Sequence, residues 1–241
     1  MEPADESVFA WIGGGGDILA GYSHEVRVLH MMVEDISVED HLVTWDQWEK
    51  ESGERDKWLA RLKRKGESGQ VLASVLAQSK PVGGTPASGF SGRRILWREI
   101  AEREGVRFED ISSAGAIWRA LPRGTPRYLV GADREGQIDP LSAAGIVRAL
   151  QSATRPGQCF FHFFAGIAGG WDPPFVLKGQ VDDVLTFSWP RAEPSPDYWW
   201  PQDQSWVVHT DYDSTVTSVA GGAAFIDALE ADPEVETVRL R

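Results

Sequence analysis

The stretch from 195 to 232, SPDYWWPQDQSWVVHTDYDSTVTSVAGGAAFIDALEAD, constrains the fold of this chain most. Pro194, Pro196 and Pro201 bracket an aromatic cluster, and proline restricts both its own backbone and that of the residue before it. We therefore predict a stiff, extended approach to the next element. The bracket carries three aromatic side chains that we take as candidate binding residues: Tyr198, Trp199 and Trp200.

A strand is predicted from 205 to 211, because aromatic and β-branched residues dominate that segment. Side chains alternate between the two faces of a strand, so Trp206 and Val208 are expected to point inward. The opposite face carries a row of polar residues with the pattern His-x-Asp-x-Asp. This row supplies the candidate catalytic residues His209, Asp211 and Asp213.

Two interpretations of this polar row remain open. Neighbouring members lie about 6.6 Å apart along a strand, which is close enough for an imidazole and carboxylates to form a general base or to share a metal ion. The simpler interpretation is the solvated face of an antiparallel sheet, where polar side chains alternate with buried ones and have no chemical role. The pattern favours the simpler one.

The pattern of the whole chain predicts an α+β fold with a mostly antiparallel sheet and helices packed on one face. Residues 1–241 are predicted to form one domain. Strands are predicted at 24–33, 127–130, 158–164, 175–178, 184–189, 214–219 and 235–240, and helices at 94–103, 140–151 and 223–231. Asp139 followed by Pro140 is typical of a helix start, as N-cap and first helical residue. His162 lies in an apolar run, so we expect it to be buried and hydrogen-bonded.

Two helices are predicted within residues 34–92. Apolar residues recur at helical spacing in 54–65 and again in 70–78. The segment then ends in a loop rich in glycine, proline and serine at 79–89. Function concentrates on variable segments held by a rigid scaffold, so any function particular to this chain is expected there.

Charge excludes some partners. The 241 residues carry a formal net charge of −12, and a nucleic-acid backbone requires a basic surface instead. We expect no nucleic acid as partner, and a basic protein as the type of partner that this charge favours. The acidic N-terminal sequence differs from a signal peptide, and no apolar run approaches the roughly 18 residues of a membrane span. We therefore expect a cytoplasmic protein without membrane contact.

Cofactor and metal motifs are missing from the sequence. The glycine run at 13–16 has neither the lysine of a phosphate-binding loop nor the spacing of a dinucleotide fold, and the histidines do not follow a zinc pattern. We expect no cofactor and no metal. Cys159 stands among phenylalanines, which predicts a buried, unreactive thiol. Trp171, in a turn-rich connection at 166–174, is a further candidate binding residue.

The letters SP, WWP, D, W, TD, D and GG, in that order within 195–222, resemble the C-terminal signature SPN-WWPxDRxW-CVATEID-YVGG of a family of uncharacterised actinobacterial proteins. The resemblance extends weakly to 26–30, 95–101 and 159–161. It implies kinship of fold and no activity. It also implies that residues 34–92 form a helical insertion, because the first two of these segments lie closer together in that family. Gln204 replaces an expected arginine and His209 a small residue, so the resemblance gives His209 no catalytic role.

Two functions therefore enter as hypotheses. The leading one is a cytoplasmic binding protein without catalytic activity, of the immunity or partner-neutralising type. The alternative is a small hydrolase or metal-assisted enzyme that uses the polar row at 209–213. The sequence does not settle whether the protein is an enzyme, nor its oligomeric state.

Overall fold

The computed structural model of the protein describes residues 1–5, 8, 18–35, 92–111, 128–130, 136–154, 157–163, 174–187, 195–211 and 214–240. The strands in this part of the chain are β1 (Glu2–Pro3), β2 (His24–Leu29), β3 (Met32–Asp35), β4 (Gly92–Ile95), β5 (Tyr128–Val130), β6 (Cys159–Phe163), β7 (Phe175–Gly179), β8 (Tyr198–Pro201), β9 (Val207–His209), β10 (Val216–Gly221) and β11 (Glu236–Arg239). The α-helices are α1 (Trp97–Glu104), α2 (Pro140–Ala153) and α3 (Ala223–Glu230), and short 3-10 helices cover Ile18–Gly21, Phe108–Asp110 and Val181–Thr186.

The strands form two sheets. The larger has eight strands in the order β1-β7-β6-β8-β9-β10-β2-β11, and the smaller has three in the order β4-β3-β5. All the strand pairs described are antiparallel. The predicted fold class, α+β with a mostly antiparallel sheet, is therefore confirmed.

The main core lies between the larger sheet and the helices α2 and α3. Alternate residues of the central strands point to this side, for example Phe161, Trp199 and Val219, and each of them is fully buried. Ile146 on α2 and Ile226 on α3 meet them from the helix side. The helix α1 belongs to a second cluster, with Leu29 and Val216 of the larger sheet and Met32 and Ile95 of the smaller one. This second cluster packs the two sheets together.

The predicted insertion starts and ends at one point of the fold. Asp35 closes β3, Gly92 opens β4, and these two residues face each other in the ladder. The segment between them therefore connects the two ends of an antiparallel pair. Residues 36–91 lie outside the described residues, so the helices predicted for them stay a prediction.

Four predicted elements differ from the structure. The strand expected at 205–211 covers only Val207–His209. The single strand expected at 24–33 is divided between the two sheets by His30 and Met31. The helix expected from 94 begins only at Trp97, because β4 extends to Ile95. The strand expected at 184–189 was wrong for its described residues: the chain forms a 3-10 helix over Val181–Thr186, started by a reciprocal capping box between Gln180 and Asp183.

A close approach at Gly145 of α2 gives the first testable prediction. A Cβ atom at this position would overlap Cγ2 of Val235. Alanine normally stabilises a helix by about 1 kcal/mol relative to glycine, but overpacking a core costs about 1–3 kcal/mol. We expect Gly145→Ala to lower the free energy of unfolding by about 1–2 kcal/mol in urea titrations.

Gly21 is a matched control for this substitution, since a Cβ there would have no atom within 4 Å. Gly21→Ala is expected to leave the stability unchanged or to raise it by a few tenths of a kcal/mol, because alanine reduces the entropy of the unfolded chain. A Gly145→Ala protein as stable as Gly21→Ala would show that α2 and the segment before β11 are not in such close contact.

Candidate functional site: a polar band across the larger sheet

Five neighbouring strands place one polar side chain each in a continuous row. His162 pairs with Tyr198, Tyr198 with His209, His209 with Ser218, and Ser218 with Arg27. Residues directly opposite each other on paired strands point to the same face. We call these five residues the polar band. It runs on the face opposite α2 and α3, since the alternating neighbours Phe161, Trp199, Val208, Val219 and Val26 fill the main core.

Apolar clusters border the polar band on the same face. On one side Trp200, Val207 and Ala220 are buried beneath partly buried residues from the N-terminal segment, including Leu19 and Tyr22. On the other side lies the second cluster, which contains α1. Within the band, Tyr198, His209, Ser218 and Arg27 are partly exposed, whereas His162 is buried. Solvent therefore reaches the band between two packed regions.

A histidine–aspartate pair lies at one end of the polar band. Nδ1 of His162 is 2.9 Å from each carboxylate oxygen of Asp197, and both side chains are buried. The backbone holds this pair in place: the Asp197 N–H donates to the His162 carbonyl at 3.0 Å, and the Thr210 N–H donates to the Asp197 carbonyl at 2.8 Å. An aspartate in this position fixes the orientation of the ring and favours the tautomer with hydrogen on Nδ1.

A stacked ring pair lies at the centre of the polar band. The rings of Tyr198 and His209 are 4.0 Å apart between centroids with an angle of 10° between their planes. The His162 ring meets Tyr198 in an edge-on arrangement at 6.1 Å. Tyr198 and His209 thus form a parallel pair that is partly exposed, and the buried His162 ring packs edge-on against Tyr198. Such rings offer a large contact area with few rotatable bonds, a property that binding surfaces use.

The candidate catalytic residues occupy different environments. His209 belongs to the polar band and is half-buried. The strand ends at His209, so Asp211 lies beyond the ladder, where it is exposed and its carbonyl accepts the Ser214 N–H at 2.9 Å. Asp213 lies outside the described residues. Whether the three act together stays a prediction.

The candidate binding residues separate in the same way. Tyr198 is partly exposed in the polar band. Trp199 is fully buried in the main core, and Trp200 is 1% exposed in the cluster on the opposite face. The aromatic bracket thus anchors both sides of the sheet and leaves Tyr198 as its solvent-facing member. Trp171 lies outside the described residues.

Sequence reasoning found one half of the histidine–aspartate pair. His162 is buried and hydrogen-bonded, as predicted. Its partner Asp197 was not singled out, although the proline bracket that contains it was. The signal that joins them is the register between β6 and β8, which a single sequence does not contain.

Two further features of the described residues concern metal binding and thiol reactivity. No group of three or more His, Cys, Asp or Glu side chains within them is arranged to hold a metal ion. Cys159 is buried, and burial raises the pKa of its thiol to about 12, with nearby aspartates adding to the effect. A thiol with this pKa stays protonated and is a poor nucleophile.

Comparison with known proteins adds no identity: no protein-family model, curated protein or solved structure matches the chain. The resemblance to the actinobacterial family therefore stays a prediction. Among the described helices, none has the length and apolar character that crossing a bilayer demands.

Proposed function

We propose that the protein is a binding protein without catalytic activity and that the polar band is its contact surface. The observation that supports this most is the flat stack of Tyr198 on His209, held on a rigid sheet and partly open to solvent. Aromatic side chains of this kind are enriched among the residues that dominate binding energies. The apolar clusters on both sides of the band would exclude water from such a contact.

The partner in this proposal is a basic protein, as for an immunity or partner-neutralising protein, and the location is the cytoplasm. A net charge of −12 accelerates encounter with a cationic partner and discriminates against acidic ones. Part of the acidic charge already has internal partners. Arg148 binds both oxygens of Asp232, and Arg239 binds Asp227 and Glu230. We therefore expect long-range charge to raise the association rate and the polar band to supply the affinity.

The test compares a band variant with a matched control in the same hairpin. Tyr198→Ala/His209→Ala removes the ring stack, whereas Gln202→Ala changes an exposed residue in the turn between β8 and β9. Extracts of cells that express this chain would be passed over the immobilised wild-type protein. A retained protein would then be purified and titrated against the wild type, the band variant and the Gln202→Ala control. We expect about a 30-fold loss of affinity for the band variant, which corresponds to about 2 kcal/mol, and none for the control.

Affinity should also fall with added salt if the partner is basic. If no protein binds the wild-type chain more tightly than the band variant, the polar band is not the contact surface. A retained acidic protein would exclude the partner class.

The second candidate, a hydrolase, is favoured by the buried His162–Asp197 pair. A carboxylate that orients an imidazole is the arrangement used for general-base catalysis. Here the base would be His162, and Tyr198 lies between it and the predicted residue His209. Hydrolysis of nitrophenyl esters by the wild-type chain, lost in His162→Gln and retained in Gln202→Ala, would support the enzyme over the binding protein. Equal rates for all three proteins would exclude it.

A further inference from the structure

Two residues join β2 to β3, two successive strands that belong to different sheets. β2 of the larger sheet ends at Leu29 and β3 of the smaller sheet begins at Met32, so His30 and Met31 form the whole junction. A long-range hydrogen bond holds Met31: its N–H donates to Oδ2 of Asp139, the N-cap of α2, at 2.8 Å. The junction is thereby tied to an element more than one hundred residues away in sequence.

His30 makes the remaining contacts of this junction. Its Nε2 is 2.8 Å from Oγ1 of Thr217 on β10, which in turn is 2.7 Å from Oγ1 of Thr210. The backbone carbonyl of His30 accepts the indole N–H of Trp97 on α1 at 2.7 Å. The backbone N–H of His30 donates to the Thr215 carbonyl at 3.4 Å. His30 thus links the larger sheet to α1, and it lies two residues before β3 of the smaller sheet.

The imidazole of His30 is buried with one of its two nitrogens lacking a hydrogen bond within the described part of the chain. The ring is fully buried, and the nitrogen without a partner among the described residues is Nδ1. A neutral ring can keep a bare lone pair at Nδ1 while Nε2 donates to Thr217. A protonated ring would carry N–H groups on both nitrogens and would bury a charge with one donor unsatisfied.

We propose that the His30–Met31 junction is an acid-sensitive latch, which holds the smaller sheet and α1 against the larger sheet while His30 is neutral and releases them when it is protonated. Opening would expose the second cluster, including Trp97 and Ile95. The part of the main core around β6 would stay closed, because β6 lies four strands away from β2 in the larger sheet and the hydrogen bonds of His30 are to β10, to the residue before it and to α1.

The electrostatics set the pH range of the latch. Burial lowers the pKa of His30 from 6.5 to about 4, and the negative charge of Asp139 partly opposes this effect. The other groups that face the ring, Thr217 and Thr210, are uncharged, and Glu236 on β11 binds the backbone N–H of Trp97. In the open state the ring regains its ordinary pKa. The closed state is therefore fully favoured above about pH 6.5 and is progressively lost as the pH falls toward 4.

Hydrogen exchange by mass spectrometry, corrected for the intrinsic pH dependence of amide exchange, tests the latch in the full chain. Between pH 7 and pH 5 we expect protection in 92–104 to fall about 20-fold, as the change from 6.5 to about 4 requires, while 159–163 keeps its protection. His30→Gln, which cannot be protonated, should remove this pH dependence. His24→Gln, at the other end of β2, should retain it.

A uniform loss of protection in both peptides would overturn the proposal, as would a His30→Gln protein with the pH dependence of the wild type. If His30→Gln does not fold, the wild-type chain still decides, because protection in 92–104 that is unchanged down to pH 4 excludes the latch.

Discussion

Trp97→Ala is expected to lower the free energy of unfolding by about 4 kcal/mol, because replacing a buried tryptophan by alanine typically costs about 3–5 kcal/mol. Trp97 is 1% exposed and belongs to the second cluster. The substitution also removes the indole N–H that bonds to the His30 carbonyl. A smaller loss is usual where the surroundings collapse into the cavity, but here the neighbours belong to two sheets and a helix held at fixed registers.

Denaturant titrations of two further variants separate the contributions of Trp97. Trp97→Phe keeps most of the volume and loses the hydrogen bond, so we expect a cost of about 1–2 kcal/mol. Arg98→Ala, at the next and exposed position of α1, should cost well under 1 kcal/mol despite its contact with the Phe108 ring. A Trp97→Ala protein within 1 kcal/mol of the wild type would show that the second cluster contributes little to holding the sheets together.

The sequence predicted those features that depend on residues close together in the chain. The start of α2 was predictable from two adjacent residues: Asp139 accepts the N–H groups of Leu141 and Ser142, and Pro140 occupies the first position, where no N–H is needed. The buried setting of Cys159 followed from its apolar neighbours in the same way. Each of these conclusions depends on residues that are close in sequence.

The break in the strand expected at 24–33 was beyond such reasoning. The run HEVRVLHMMV has no glycine or proline that would mark an end at Leu29. What ends β2 there is a set of partners from distant elements, among them Thr217 and Trp97 on His30 and Asp139 on Met31. A strand that changes sheets in this way is specified by tertiary contacts, and one sequence without registers does not show them.

In the candidate site, too, the local features were predicted and the features that depend on strand order were not. The alternation that placed Trp206 and Val208 inward is correct, since both are buried in the main core. The polar row at 209–213 was expected along one strand, and its last member lies outside the described residues. The structure shows a different polar row, which runs across five strands. Such a row depends on which strands are neighbours. The order β6-β8-β9-β10-β2 combines residues 27 and 218 with residues 162, 198 and 209, which no spacing along the chain predicts.

Asp139→Ala is expected to cost about 3 kcal/mol, as the sum of a lost N-cap, about 1–2 kcal/mol, and a buried N–H left without an acceptor, about 1–3 kcal/mol. The carboxylate is 1% exposed and accepts four hydrogen bonds, two from the first turn of α2, one from the Ser142 hydroxyl at 2.6 Å and one from the Met31 N–H at 2.8 Å. The last of these reaches outside the helix, so the residue caps α2 and holds the junction between the sheets at once.

The dual role of Asp139 predicts an order among variants that a cap alone would not give. Asp139→Asn keeps an oxygen for the first turn but turns an amide NH₂ toward Met31, and we expect it to cost about 1–2 kcal/mol, although asparagine is as good an N-cap as aspartate. Ser142→Ala removes one bond to the carboxylate and should cost about 1 kcal/mol or less. Urea titrations that find Asp139→Asn as stable as the wild type would show that the bond to Met31 contributes nothing. The aspartate would then act on α2 alone, and the junction would depend on His30 and Trp97 for its position.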